Sequence, residues 1–526
     1  MADEQEITSD ESAELEPEIE SREGSEQIHE MEPDESTAAA GDSSEAGCPI
    51  RMGYGDDSPI RIVYGDDSPI RMGYSDDSQR CGRKLHVAPN GVDELPVCLM
   101  HSKDSRKQSG LLYDTFWLEF ERILAGAGEG QAHFEYFVFP RLKLNGRIFQ
   151  AICRFDYAIF SHDADFRFAT FTQHAVFVKA TFMQSAGFDA ASFTQDAFFM
   201  YTVFTQDVNF VASEFTQDAN FYHAIFTQAA CFVYTKFHGT ADWRESQFLD
   251  QAEFRGTKFE PLEEGEPSAV FVLASTSKPS EIVFDDVDLS RALFHNCDVS
   301  QLWFTSSVKW AERDGKRGLA VFEETIDLKH EFAEGLQRYG QRDYRAVAQI
   351  YQQLKKNYDS RLNYWTANEF HFGEMEMKRL AGPVGGPFLR LRQWLHRRLS
   401  LVALYRYASD YGNSYWKPLL WLLGILALFA ALLPLPGVGL KRQGAKQAET
   451  YVSAWDVRKS YGENLWPEVR LAGKGVITSV DAATFQRSAE YAPAYPWGRV
   501  LAIFETLLTS SLFALFLLAI RRQFRR

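Results

Sequence analysis

From residue 155 to residue 259 an aromatic ring, phenylalanine everywhere except Trp243, returns at steps that alternate five and six, and neither a single helix nor a flat sheet can bury such a series. The stretch "FTQDAFFMYTVFTQDVNFVASEFTQDANFYHAIFTQAACF" carries the rule in Phe193, Phe199, Phe204, Phe210, Phe215, Phe221, Phe226 and Phe232. Two places before each ring stands a small or short residue, such as Ala191, Ala197, Thr202 or Val208. On an α-helix five residues advance by about 140° and scatter the rings over several faces. On a flat strand the odd step alternates faces. A solenoid that turns a corner after each short side puts every ring inside, and a fixed short period is the sign of such a stack. The unit is eleven residues, so the extra residue belongs at alternate corners and one coil takes 22. Each buried Phe stabilises by roughly 1.5–3 kcal/mol, which supplies a core without a conventional centre.

A second block, "IVFDDVDLSRALFHNCDVSQLWF", has Phe284, Leu289, Phe294, Val299 and Phe304 spaced strictly by five. It resembles the pentapeptide-repeat family, whose unit is A(D/N)LxX; "VDLSR" fits with Val for Ala. That resemblance implies a right-handed quadrilateral β-helix, here in an eleven-residue variant. The expected fold class is therefore mainly β: this solenoid, then an α-helical hairpin and two transmembrane helices. The repeats predict about five coils from Phe155 to Phe259 and about one more from the second block, all within 151–310. Residues 260–281, with three Pro and five Glu, read as a loop ejected from the stack.

The flanking segments differ in character. Of the net charge of −17, nearly all lies before residue 48, where seventeen Asp/Glu face the single Arg22 and no aromatic occurs. Such a segment cannot bury enough apolar surface to offset its ordering entropy. Together with the decapeptide repeat "IRMGYGDDSP", "IRIVYGDDSP", "IRMGYSDDSQ", it makes 1–79 a disordered tail and linker. Residues 80–150 read as a small cap, with "DTFWLEFERILAGAGEG" as a helix ended by Gly and "FEYFVFP" as a strand. Residues 311–416 read as two helices joined near Ser360–Asn363 and then a basic juxtamembrane stretch. Residues 417–526 hold two apolar runs, 418–440 and 500–520, each long enough to cross a bilayer. The segments "YQQLKKNYDS", "ANEFHFGEMEMKR" and "LYRYASDYGNSYWKPLLWLL" look like the link between repeats and membrane helices in bacterial pentapeptide-repeat membrane proteins. Arg397, Arg398, Arg406 and Lys417 before the first run, with Arg521, Arg522, Arg525 and Arg526 after the second, place both termini in the cytoplasm of a multi-pass inner-membrane protein.

Chemistry-bearing patterns are few. No nucleophile elbow, zinc-protease or phosphate-loop motif occurs, and the expectation is no enzyme. Six cysteines without paired spacing argue against a secreted disulfide framework. Cys81, His86, Cys98 and His101 form a C-x4-H-x11-C-x2-H series that could close a tetrahedral zinc site; zinc is the one candidate cofactor. Glu505 is an ionisable group inside an apolar run, with Thr509 above it at i+4. The run "GRVLAIFETLLTSSLFALFLLAIRRQFRR" resembles the inner helix of two-helix bacterial ion channels, although no filter-like motif lies between 441 and 499. Thirteen Asp/Glu against six Lys/Arg from Phe155 to Glu260, with three "TQD" copies, resemble the acidic rods that imitate DNA to a topoisomerase. The leading expectation is a membrane-anchored interaction scaffold whose partners are the bilayer, a cytoplasmic protein and a second copy of the chain, not nucleic acid. A channel-like oligomer and a DNA mimic are the alternatives.

Overall fold

Burying a ring at every fifth or sixth residue produces four flat sides. The computed structural model describes residues 47–52, 79–89, 91–142, 144–261, 263, 265–313, 318–338, 340–383, 388–435, 438–442, 447–450, 461–484 and 491–524. Four parallel sheets of eight, seven, seven and six strands form the sides of a β-solenoid. In its body each strand pairs 22 residues on, as in Ala175 with Ala197 and Phe193 with Phe215. At the last coil the register falls to 20, Phe284 with Phe304, which is four regular pentapeptides.

Inside, the rings form four columns. Phe166, Phe188, Phe210, Phe232 and Phe254 stack with centroids 4.9–5.2 Å apart. Neighbouring columns meet edge to face, as Phe199 and Phe210 do at 5.5 Å and 83°. The expected ladder residues Phe193 to Phe232 are all buried. Corners are of two kinds. The shorter carries one residue at positive φ every eleventh position, from Tyr157 through Lys179, Tyr201 and His223 to Glu245, and Gly256 takes the next place. The longer carries Thr-Gln-Asp. Thr194 and Thr205 hydroxyls donate to carbonyls of Phe171 and Phe182. The Asp207 and Asp218 carboxylates accept from the amides of Ala229 and Thr240, one coil on. Those bonds account for the recurrence of the "TQD" triplet at corners.

Several boundaries move. The solenoid begins at Gln131, not at 151, because Phe134, Phe137, Phe139 and Phe149 already fill its interior at irregular spacing. "FEYFVFP" is a corner followed by a two-residue strand, Val138–Phe139, rather than one strand. The cap proper is helix α1, Gly110–Ala127, ended by Gly128 at φ 56°. Its Phe120 stacks on Phe134 at 4.5 Å and covers the first coil. The expected 260–281 loop is only partly ejected: Ala269–Val270 and Ser275–Thr276 are strands of two sides. The pairing of Ala241 with Ala269 shows that only six residues are added to that coil. Against the reading of 1–79 as wholly unstructured, Arg51–Met52 pairs antiparallel with Gln79–Arg80. Residues 1–46 and the decapeptide segment 53–78 lie outside the described residues.

At the far end, α2 (Tyr344–Ser360) and α3 (Tyr364–Leu380) form the expected hairpin. Val347, Tyr351, Leu354 and Tyr358 are its buried face. Trp310 joins Phe304 to Phe370, and its indole donates to Tyr358 Oη at 3.0 Å. Two short helices follow, α4 (Leu389–Leu399) and α5 (Leu401–Ser409), then the apolar α6 (Trp416–Leu432). The expected span 418–440 is therefore shorter: the helix stops two residues before Pro434, which cannot donate to the ladder and restricts its predecessor. Helix α7 (Tyr461–Ala483) was not foreseen, and α8 (Pro496–Phe524) contains the run 500–520. Among the described residues one helix, α8, is long and apolar enough to cross a membrane, while α6 is apolar but shorter.

Candidate metal centre

Four side chains converge where the paired strands Arg51–Met52 and Gln79–Arg80 approach the turn at Cys98–His101. Cys48 precedes the strand at Arg51 and Cys81 follows the strand at Gln79, so the ladder between these strands brings the two residues together across the decapeptide segment. Backbone bonds continue it: the Cys48 amide donates to Arg83 O at 2.8 Å and the Cys81 amide to Ile50 O at 2.7 Å. Leu85 bridges Cys98, which draws the return strand against the turn "CLMH". In that turn the amide of His101 donates to Cys98 O at 3.1 Å, so both side chains face one point.

The donor atoms of Cys48, Cys81, Cys98 and His101 all lie within 4.8 Å of one another. His101 Nδ1 stands 3.3 Å from Cys48 Sγ and 3.2 Å from Cys98 Sγ, and Cys81 Sγ is 3.8 Å from Cys98 Sγ. His101 Nε2 faces the Glu135 carbonyl at 3.2 Å, and the ring packs edge-on against Phe137. A carbonyl on Nε2 keeps the proton there and leaves Nδ1 as the free donor atom. Arg83 donates to Cys81 Sγ at 3.2 Å while pairing with Glu119 at 2.7 Å. Hydrogen bonding from Cys98, with His101 and Arg83 adding to it, holds the Cys81 thiol well below its usual range. The same contact and burial push Cys98 up. Burial pulls the His101 imidazole down, and the sulfurs of Cys48 and Cys81 more than offset it. Three sulfurs and one imidazole nitrogen, with Cys48, Cys98 and His101 buried and Cys81 half-buried, make a closed donor set of the kind structural zinc takes.

Of the sequence candidates, Cys81, Cys98 and His101 meet, and His86 does not. Its Nε2 lies 2.8 Å from Asp104, a carboxyl that Arg106 in turn holds well below the usual range. On the bridge to Cys98, His86 is one residue past Leu85, which turns its side chain away from the cluster. Cys48 takes its place. The signal was available: "GCPIR" before the decapeptides and "RCGRK" after them set one cysteine at each end of the repeat.

The other expected site lies at the opposite end of the chain. Glu505 and Thr509 are both buried, but the Thr509 hydroxyl returns to the Glu505 carbonyl of its own helix at 2.8 Å. The Glu505 carboxylate accepts from Ser479 of α7, whose hydroxyl also lies 3.2 Å from Leu426 O of α6. Glu505 therefore faces the interior of its own three-helix bundle. Ser479 escaped sequence reading because α7 itself did.

With rod and cluster described, similarity to known proteins is limited but decisive for the rod. A model of the family described as Pentapeptide repeats (9 copies) matches residues 221–262. The rod is a pentapeptide-repeat β-solenoid. No curated protein and no solved structure matches the chain. A pentapeptide-repeat solenoid is a scaffold type of fold, here with a filled interior and four flat sides.

Proposed function

We propose that this chain is a membrane-held, non-enzymatic scaffold that presents a pentapeptide-repeat rod to a protein partner on the cytoplasmic face of a bacterial inner membrane. The contrast between a closed rod and an open apolar belt carries this reading. Rings fill the rod's interior, so recognition falls to its outer sides. On α6 and α8, by contrast, Leu420, Leu423, Leu428, Ile503, Phe504 and Leu507 are each more than half exposed. A soluble surface rarely leaves so large an apolar area uncovered. The two helices run antiparallel, since Arg522 near the end of α8 donates to Tyr411 O just before α6 at 2.7 Å. That arrangement supports a rod and a C-terminus on one side of the membrane.

Helix α4 supports the same placement. Leu391, Trp394 and Leu399 are exposed on it, and a cavity of about 620 Å³ beside it is lined by Arg379, Arg390, Arg397, Arg398 and Arg406. Exposed apolar side chains next to arginines suit the headgroup region of an anionic bilayer.

Alkaline washing of membranes tests the anchor, and a photocrosslinking residue in place of exposed Met183 or Trp303 tests the rod. The full chain should stay with the membrane, and one discrete protein adduct should form. Release of the chain into the wash, or no adduct from either position, counts against the scaffold.

A further inference from the structure

We propose that Cys48, Cys81, Cys98 and His101 bind one zinc ion, which staples the base of the decapeptide segment to the cap of the solenoid. Zinc–sulfur bonds of about 2.3 Å and zinc–nitrogen bonds of about 2.0 Å give a tetrahedron with edges of about 3.5–3.8 Å. The cluster has a sulfur–sulfur edge of 3.8 Å and nitrogen–sulfur edges of 3.2 and 3.3 Å, so an ion enters with small adjustments. All four positions are protein donors, three of them buried, which leaves no place for substrate or water and makes the ion structural. Its second shell is present. The Glu135 carbonyl fixes the histidine so that Nδ1 is the ligand atom. Three thiolates around a divalent ion leave one negative charge, and Arg83 donates to one of those sulfurs. Soft sulfur donors in tetrahedral array select zinc over the hard oxygen-seeking cations.

The ion would add to the Arg83–Glu119 and His86–Asp104 ion pairs that already join these pieces. Between the paired strands at Arg51 and Gln79 and the "CLMH" turn, the described backbone contacts are the Leu85–Cys98 bridge and the His86 amide to Val97 O. The ligands come from both sides of residues 53–78 and from the turn, so one ion fixes where the decapeptides leave and rejoin the rod.

Elemental analysis of the full chain, purified in detergent under reducing conditions and equilibrated with zinc, tests the proposal. One zinc per chain is expected. Cobalt(II) added in its place should give the intense visible bands of a tetrahedral thiolate site. Cys48→Ser and His101→Ala should each weaken zinc binding at least tenfold, whereas His86→Ala and Cys153→Ser should retain it. Chelation should speed tryptic cleavage after Arg83 and Lys84. Absence of zinc from the unaltered chain overturns the proposal, as does an intact mass showing a Cys81–Cys98 disulfide. Equal loss from His86→Ala and His101→Ala overturns the ligand assignment. Metal content and the cobalt spectrum of the unaltered chain decide the matter even if a variant fails to fold.

Discussion

The side-chain amide of Asn357 donates to the carbonyl of Val299 at 2.8 Å, and its second hydrogen reaches Leu302 O at 2.7 Å. Asn357 is fully buried on α2, while Val299 and Leu302 belong to the last coil, where among the described residues no further strand donates amides to these carbonyls. An open sheet end is a template for unwanted pairing, and here a helix closes it. Asn357→Leu keeps the volume, leaves Val299 O without its donor and leaves Leu302 O with Arg361 alone, at 3.2 Å. The expected result is a loss of about 1–3 kcal/mol in denaturant unfolding, with faster amide exchange at 299–304. Unchanged stability would mean that the hairpin covers the coil without sealing it.

The centre of the rod should be its least tolerant region. Phe210 has Phe188 at 4.9 Å and Phe232 at 5.2 Å on either side, whereas Phe259 ends its column with one stacked partner, Phe237, at 5.5 Å. Phe210→Ala leaves a cavity that rigid neighbouring coils cannot close and should cost about 3–5 kcal/mol. Phe259→Ala, at the edge, should cost less, and Phe210→Leu less than Phe210→Ala. Equilibrium unfolding of the three variants gives the order, and an equal cost at both positions would show that the columns do not act as a continuous stack.

These two cases mark where the sequence was legible. The five-and-six rhythm required buried rings and a 22-residue coil because each side has the same length and the same small residue ahead of its ring. Asn357 could not be read, because its partners are backbone carbonyls some 55 to 58 positions away, and backbone groups leave no trace in residue type. Cys48 was hidden for a related reason: its distance to Cys81 is set by a strand pairing across a low-complexity segment, not by local spacing. The early start of the rod was missed because Phe134, Phe137 and Phe139 fill the first coil together with α1 and so escape the repeat rule. Helix α7 carries charged residues and lacks a long apolar run, so it left no mark of its place between two apolar helices.

Glu323 gives the rod's end a dependence on pH. It is fully buried, accepts from the Phe294 amide and has Arg342 nearby; burial pushes its carboxyl up to about 7 from an ordinary 4.5. The folded chain thus keeps a proton that the unfolded chain has released. Stability from this group is fully present below about pH 4.5 and is lost as pH rises through about 7. Between pH 5 and pH 8 the unfolding free energy should fall by about 1–3 kcal/mol. Glu323→Gln keeps an acceptor for the Phe294 amide and should flatten that slope while stabilising the protein at pH 8. A variant with the same slope would assign the effect to another group, and His295 is not that group: burial pushes it down to about 4, so the unfolded chain binds more protons there and its contribution rises with pH.

Glu376 has the opposite sign and a different task. Buried on α3, it receives Arg379 at 2.7 Å, Arg406 of α5 at 3.0 Å and the Tyr411 hydroxyl at 2.9 Å. It thereby ties the hairpin that closes the rod to the segment entering the apolar helices. Burial alone would raise its carboxyl, but Arg379, with Arg406 and Tyr411, outweighs burial and leaves it below its usual value. Its contribution is therefore present above the unfolded value of about 4.5 and is lost as pH falls through the lower folded value. Removing one member of a buried ionic group strands the others, at about 3–5 kcal/mol. Glu376→Gln should cost about that much near pH 7, and progressively less as pH falls through the lowered folded value, where the carboxylate of the unaltered chain takes up its proton too. Because two of the lost contacts, Arg406 and Tyr411, lie on and just after α5, tryptic cleavage after Arg406 should quicken before the rod unfolds. A variant that loosens rod and α5 together would show that Glu376 stabilises the hairpin itself and does not act as the joint between rod and membrane segment.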